Sequence, residues 1–255
     1  MLESAFAEGQ RVHDEEFATI YAEGTTKATW CQLYELPFIE HVARLVVVLG
    51  AAEDLKSLTE VPDPLAAIPS VIEKTSAEIE AMELSKEELE EYRKHLQVYW
   101  AIANSMLLTL RSVMTYGLYL NELIELSRGE GEEADAALLK AIKIDPTVLA
   151  CPSVSIRMSR AVMSSDKAFL GRIKRAINAS LTKREQKNYQ NMRLVLQALH
   201  EADALRLNEH DLYELFVKEL KLVSRDREGD KGNVANNLRQ FAYQFVKAKP
   251  VSQNA

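Results

Sequence analysis

The sequence predicts an all-α protein: a multi-helix bundle with one long central helix over about 85–128 and a C-terminal cluster of shorter helices. Three observations carry this reading. Apolar residues recur at helical spacing in nearly every long segment. Nine Gly and seven Pro in 255 residues are too few for the many turns of an all-β chain. An apolar heptad also runs from Leu89 through Tyr92, Leu96, Tyr99, Ala103, Met106, Leu110, Val113, Gly117 and Leu120 to Ile124. At 47% hydrophobic and 27% charged, the composition is that of a folded chain.

The elements follow in order. Residues 28–58 read as one helix with Pro37 near its middle, or as two helices meeting there. The run 61–69 holds three prolines and reads as a linker or ordered loop, with a short helix after it over about 70–82. The long helix opens on a capping box of Ser85 and Glu88, and Leu84 with Leu89 can form the hydrophobic staple around it. Its flanking positions are also apolar (Trp100, Ile102, Leu107, Met114, Tyr116, Leu123), so other helices or a second subunit should wrap it. Arg128-Gly-Glu-Gly-Glu-Glu, with no apolar residue, marks a boundary between an acidic N-terminal helical domain, 1–128, and a basic C-terminal one, 132–255. Shorter helices are expected over 133–143, 154–163, 166–179, 183–206, 209–223 and 233–248. Thr182 and Glu185 form a second capping box, Asn208 or Glu209 opens the next helix, and 224–232 is a charged loop.

Two apolar stretches are tested against a membrane. The first, 42–52, is too short to span, and the second, 101–120, carries Arg111 near its centre. Both are read as helices of a non-membrane bundle. Cys31 and Cys151 are the only cysteines, which gives neither a disulfide framework nor a metal spacing. With an acidic N-terminal segment that lacks an apolar core, the expected location is the cytoplasm.

Charge is divided unevenly. Residues 1–145 carry 27 acidic and 12 basic side chains, whereas 146–255 carry 11 acidic and 19 basic, which leaves the whole chain at −7. The basic excess lies in 153–193: Arg157, Arg160, Lys167, Arg172, Lys174, Arg175, Lys183, Arg184, Lys187 and Arg193, against Asp166 and Glu185 alone. A local positive field attracts polyanions or an acidic protein face. Over Lys167–Asn178, the stripe Phe169, Leu170, Ile173 and Ile177 faces inward. It leaves Lys167, Lys174, Arg175 and Asn178 outside, with Arg172 at the edge. Lys183, Arg184 and Lys187 crowd the start of the next helix, where cations oppose the dipole unless an anion binds the free N–H groups. Within the basic stretch only Phe169 and Tyr189 are aromatic, so phosphate contacts on a duplex fit better than a stacked single strand. The last helix adds Asn236, Asn237, Arg239, Gln240, Gln244 and Lys247 on its polar side. A helix-turn-helix candidate lies at 134–163, where Arg157 and Arg160 project from the third of three short helical stretches.

Catalytic patterns are sparse. Arg193 and His200, on one helix with six residues between them, resemble the loosest form of the motif of the helical HEPN ribonucleases. The resemblance implies a dimeric ribonuclease in which these two residues act on the scissile phosphate. Leu194 departs from the family's pattern, which has a polar residue after the Arg. His210-Asp211 is similar to the paired ligands of the helical HD phosphohydrolases, but the likeness covers two residues and nothing is carried over. The acids at the start of the long helix are explained by its dipole. No catalytic residue, metal site or cofactor is assigned. The expectation is a non-enzymatic helical binding protein, a subunit of a nucleic-acid-associated assembly. Its partners would be nucleic acid, duplex favoured, and another protein or a second copy, with no membrane. A HEPN-like ribonuclease and a purely structural protein-interaction subunit are the alternatives.

Overall fold

In a computed structural model, residues 30–48, 50, 52–53, 56, 70, 77, 81, 85–179, 189–223 and 231–249 are described. Among these, 79% are helical in 11 helices and none is in a strand, so the chain is an all-α bundle. Also among them, no helix is long and apolar enough to cross a membrane. The chain divides into two compact units, Met1–Met106 and Leu107–Ala255. The long helix runs through the division.

In the first unit, Pro37 separates two helices rather than kinking one. Helix α1 is Trp30–Glu35, and α2 is Phe38–Ala43, continuing as a π-helical stretch over Arg44–Val48. Pro37 has no N–H to donate, so the chain restarts at it, and its carbonyl accepts from the Glu40 and His41 amides. Helix α3, Lys86–Tyr116, begins as the capping box predicts. The Ser85 amide donates to Glu88 Oε2 at 2.9 Å and the Glu88 amide to Ser85 Oγ at 3.3 Å. These bonds favour the Glu88 carboxylate and lower its pKa. Leu45, Ile102 and Met106 form the core, with Leu33, Phe38, Val42 and Ala103 packed against it. The run 61–69 lies outside the described residues, and of 70–82 only 70, 77 and 81 are described.

His41 is fully buried in this unit. Its Nδ1 lies 3.2 Å from the Pro37 carbonyl and its Nε2 lies 2.9 Å from Ser105 Oγ. Nδ1–H donates to the carbonyl, which leaves Nε2 to accept from the Ser105 hydroxyl. The hydroxyl carries one proton, and the Leu33 carbonyl, 3.2 Å from Ser105 Oγ, competes with Nε2 for it. Burial holds the His41 imidazole down to about 4, and Arg44 nearby pushes the same way.

The expected helix over 85–128 is two helices. Helix α3 stops at Tyr116 because Gly117 sits at φ +74, the left-handed region that ends helices. Its amide still donates to the Val113 carbonyl at 2.8 Å. A Cβ at Gly117 would lie 3.0 Å from the Phe245 ring. Helix α4, Leu120–Ser127, starts afresh, with the Tyr119 amide donating to Glu122 Oε2 at 2.6 Å. The apolar heptad passes through the break because Val113 before it and Leu120 and Ile124 after it are buried.

In the second unit, α4 packs against α5, Glu132–Ile144, across the glycine-rich turn. A 3₁₀ turn, Pro146–Ala150, leads to α6, Pro152–Met163. Asp145 Oδ1 accepts from the Thr147 amide at 2.8 Å, and Pro146 and Pro152 occupy first-turn positions that need no N–H. Helix α7, Lys167–Ile177, is capped by Asp166, whose Oδ1 accepts from the Phe169 amide at 3.0 Å. It packs on α5 and α6. Helices α8, Gln190–Glu201, and α10, Lys231–Lys247, enclose a second core with α9. Helix α9, Glu209–Tyr213, is capped by Asn208 and continues as a π-helical stretch over Glu214–Glu219. Met192, Leu196, Leu212, Phe216, Leu238 and Phe245 form the centre of that core.

Two outcomes follow. Gly117→Ala should lower the stability of the second unit by about 1–3 kcal/mol, from left-handed strain together with the Phe245 contact, read as a shift in urea midpoint. The unfolded His41 imidazole takes its proton near pH 6.5, whereas the folded one takes it near 4. Between these values the unfolded state binds more protons, so stability falls as pH is lowered, by about 3 kcal/mol when the window is crossed. Both tryptophans, Trp30 and Trp100, lie in the first unit. Urea unfolding followed by their fluorescence should therefore show a pH-dependent loss across that window that is reduced in His41→Gln.

Candidate nucleic-acid interface

Of the ten cations expected to share one surface, seven are described, and two of these, Arg157 and Arg172, turn away to a carboxylate. Helix α7 follows the sequence reading most closely. Its buried stripe is Phe169, Ile173 and Ala176, whereas Ile177, expected inside, is exposed; Lys167, Lys174, Arg175 and Asn178 are exposed on the opposite face. Gly171 lies between them with open space around it. Arg175 Nε donates to the Gly171 carbonyl at 3.3 Å and Asn178 Nδ2 to the Lys174 carbonyl at 2.8 Å. Among the described residues no carboxylate lies within 4.0 Å of Lys167, Lys174 or Arg175.

Arg157 and Arg172 instead turn inward to Asp135 on α5. Arg157 grips it with two bonds, Nε to Oδ1 at 2.9 Å and Nη2 to Oδ2 at 3.1 Å. Arg172 Nη2 donates to the same Oδ2 at 2.8 Å. Asp166 stands 3.8 Å from Arg157, so two carboxylates balance two guanidiniums. The Phe169 ring lies 3.8 Å below the Arg157 guanidinium and 5.6 Å from that of Arg172. The physical reason is the position of Asp135. It falls on the buried face of α5 beside Ala134 and Leu138, and a carboxylate withdrawn from water demands cations. In the helix-turn-helix candidate, the three helical stretches form but Arg157 faces Asp135 rather than projecting. Arg160 is exposed, with Glu130 at 3.8 Å, a geometry worth little in water. Lys183, Arg184 and Lys187, and the second capping box, lie outside the described residues.

Arg193 is half-buried. Its Nη1 donates to the Met114 carbonyl at 2.8 Å, one of the last carbonyls of α3 left without a helical partner. A cation at a helix C-terminus is favoured by the dipole, so Arg193 closes the helix that Gly117 ends. Burial lowers its pKa. The guanidinium lies 5.7 Å from the Phe241 ring. His200, two turns further along α8, is exposed. Among the described residues no group of three His, Cys, Asp or Glu side chains is placed to hold a metal ion.

Arg193 also lines an open cavity of about 480 Å³ with Tyr116, Tyr189, Phe241, Gln244 and Phe245. Tyr189 packs on Phe241 with ring centroids 5.1 Å apart and planes 31° apart. Lys140 Nζ lies 5.8 Å from the Tyr116 ring, and burial raises the Tyr116 pKa. A second depression, of about 390 Å³, lies along Asn236, Arg239, Gln240 and Tyr243 and shares Gln244 with the first. Of these, Arg239 is held by Glu209 at 2.8 Å. Buried Lys249 donates to Glu122 Oε2 at 3.2 Å, and its ammonium lies 5.4 Å from the Tyr119 ring and 5.1 Å from the Phe245 ring. Burial lowers the Lys249 pKa and Glu122 opposes the shift. The Tyr119 hydroxyl donates to Glu201, and its pKa is pushed up by burial and by that carboxylate.

Sequence reasoning counted two aromatics around the basic stretch and missed Tyr116, Phe241 and Phe245. Tyr116 read as a flank of the long helix, and Phe241 and Phe245 fall on the side of the last helix away from its polar residues. Only the fold brings three distant helices to one groove. The chain matches no protein-family model, no curated protein and no solved structure.

Proposed function

We propose that this chain is a non-enzymatic helical binding protein, a subunit of a nucleic-acid-associated assembly, with the outer face of α7 set against phosphate. One observation carries the reading. Lys167, Lys174 and Arg175 share an exposed helix face with no carboxylate beside them among the described residues, while Arg157 and Arg172 are neutralised. Lys174 and Arg175 also complement the dipole at the end of α7, but Lys167 is its first residue, where a cation opposes the dipole. Helix stability therefore does not account for all three. Contacts of this kind position a backbone without reading bases, and a duplex is the favoured partner. The ribonuclease reading draws less support, because exposed His200 does not line the cavity that Arg193 lines.

A second reading, a protein-interaction subunit, draws on α6. Ile156, Val162 and Met163 on this one helix are 56%, 60% and 87% exposed, and exposed apolar side chains favour contact with another protein or a second copy.

Fluorescence anisotropy of a labelled duplex tests the first reading. Affinity should fall with salt at a log–log slope of about 3, and the triple variant Lys167→Gln, Lys174→Gln, Arg175→Gln should flatten it. Binding that ignores salt, or a variant that binds as the parent does, rejects the reading. For the second, sedimentation velocity over a range of concentrations should show association that Met163→Asp weakens; a chain that is monomeric throughout and captures no partner rejects it.

A further inference from the structure

We propose that the groove around Arg193 is a nucleotide site, in which one base lies among Tyr116, Tyr189 and Phe241 and its phosphate meets the Arg193 guanidinium.

The argument starts from an uneven treatment of charge. Four of the described arginines are buried or partly buried: Arg44, Arg157, Arg172 and Arg193. Arg44 has Glu40 at 3.3 Å, and Arg157 and Arg172 share Asp135. Arg193 has no carboxylate within 4.0 Å among the described residues; its only hydrogen bond there is to a neutral carbonyl. The dipole of α3 offsets part of its charge, but Nε and Nη2 bond to no described residue. A half-buried guanidinium with free donors, in the wall of a cavity, is matched by an anion that enters that cavity.

The other walls say what the anion carries. The cavity, about 480 Å³, is of the size that small organic ligands occupy. Tyr116, Tyr189, Phe241 and Phe245 supply rings, and Tyr189 remains 44% exposed beside its contact with Phe241. Gln244 offers both a donor and an acceptor at the edge. Inorganic phosphate would satisfy Arg193 and leave the rings wet. An uncharged aromatic would cover the rings and strip water from an unmatched cation. A planar ring joined to a phosphate satisfies both, and base–aromatic stacking with a guanidinium nearby is the way proteins hold unpaired bases.

This chemistry has two sources, a free mononucleotide or an unpaired base within a strand. The neighbouring depression on α10, reached past Gln244 and lined by Asn236, Gln240 and Tyr243, gives a strand somewhere to continue.

The test is isothermal titration of the full chain, at constant ionic strength, with adenosine 5′-monophosphate, adenosine, inorganic phosphate and a short single-stranded oligonucleotide. The monophosphate should bind saturably, with adenosine and phosphate each weaker by about 10-fold or more. An oligonucleotide tighter than the monophosphate assigns the site to a strand, and one no tighter assigns it to the free nucleotide; either result supports the shared chemistry. Tyr189→Ala, an exposed position, should weaken binding by about 10-fold. Arg193→Gln should weaken the monophosphate and leave adenosine unchanged. Because Arg193 also caps α3, circular dichroism should accompany that variant, and Tyr189→Ala stands as the test if it fails to fold. No saturable binding of monophosphate or strand, phosphate binding as tightly as the monophosphate, or a Tyr189→Ala chain that binds like the parent overturns the proposal. A monophosphate titration does not depend on the face of α7, so it fails or succeeds separately from the duplex experiment.

Discussion

The second unit is organised around the end of one helix. At Gly117 the backbone takes a positive φ that a side chain would resist, and the missing Cβ leaves room for the Phe245 ring. Ending α3 there exposes carbonyls that would otherwise be bonded, and Arg193 from α8 meets one of them. Three helices distant in sequence thus converge on a single residue that has no side chain. The groove is a consequence. Tyr116 is the last residue of α3, Phe241 and Phe245 lie one turn apart on α10, and Arg193 reaches across to the break. Just past it, Tyr119 and Glu122 at the start of α4 bind Glu201 and Lys249, which tie the ends of α8 and α10 to the same corner.

Much of this was legible where a local rule acts alone. Ser85 and Glu88, and Asn208, cap the helices that their spacing announces, and Pro37 divides α1 from α2. Each of these depends on the chain within four residues. Gly117 escaped because the apolar repeat continues through it. The core on both sides needs apolar residues at the same spacing, so periodicity is blind to a break that preserves register. The π-helical stretches at Arg44–Val48 and Glu214–Glu219 escaped for a related reason. An extra residue per turn shifts a stripe by too little to stand out in a short segment.

The charge pattern was legible as composition and misleading as geometry. A sequence half that is acidic suggests an acidic surface, yet Asp135 is nearly buried and draws two arginines of the basic half onto itself. Desolvation decides the outcome. A carboxylate on the inner face of α5 is costly unless paired, so the nearest guanidiniums on α6 and α7 are recruited, with Phe169 as the surface on which one of them stacks. What remains for a partner is set by helix phase. Cations on the side of α7 opposite Phe169 stay free of carboxylates among the described residues, and Arg172 on its edge reaches Asp135.

The two proposed contacts differ in how the solvent treats them, and this separates their roles. Exposed lysines on α7 act through a field that salt screens over about 8 Å at physiological ionic strength, so they attract a polyanion without choosing its sequence. Arg193 stands in a partly dry wall among rings, where screening is weaker and the fit of a planar group counts. A contact of the first kind sets how often a nucleic acid arrives, and one of the second kind sets what is kept once it has arrived. On this reading discrimination rests on whether a base is free to leave its stack.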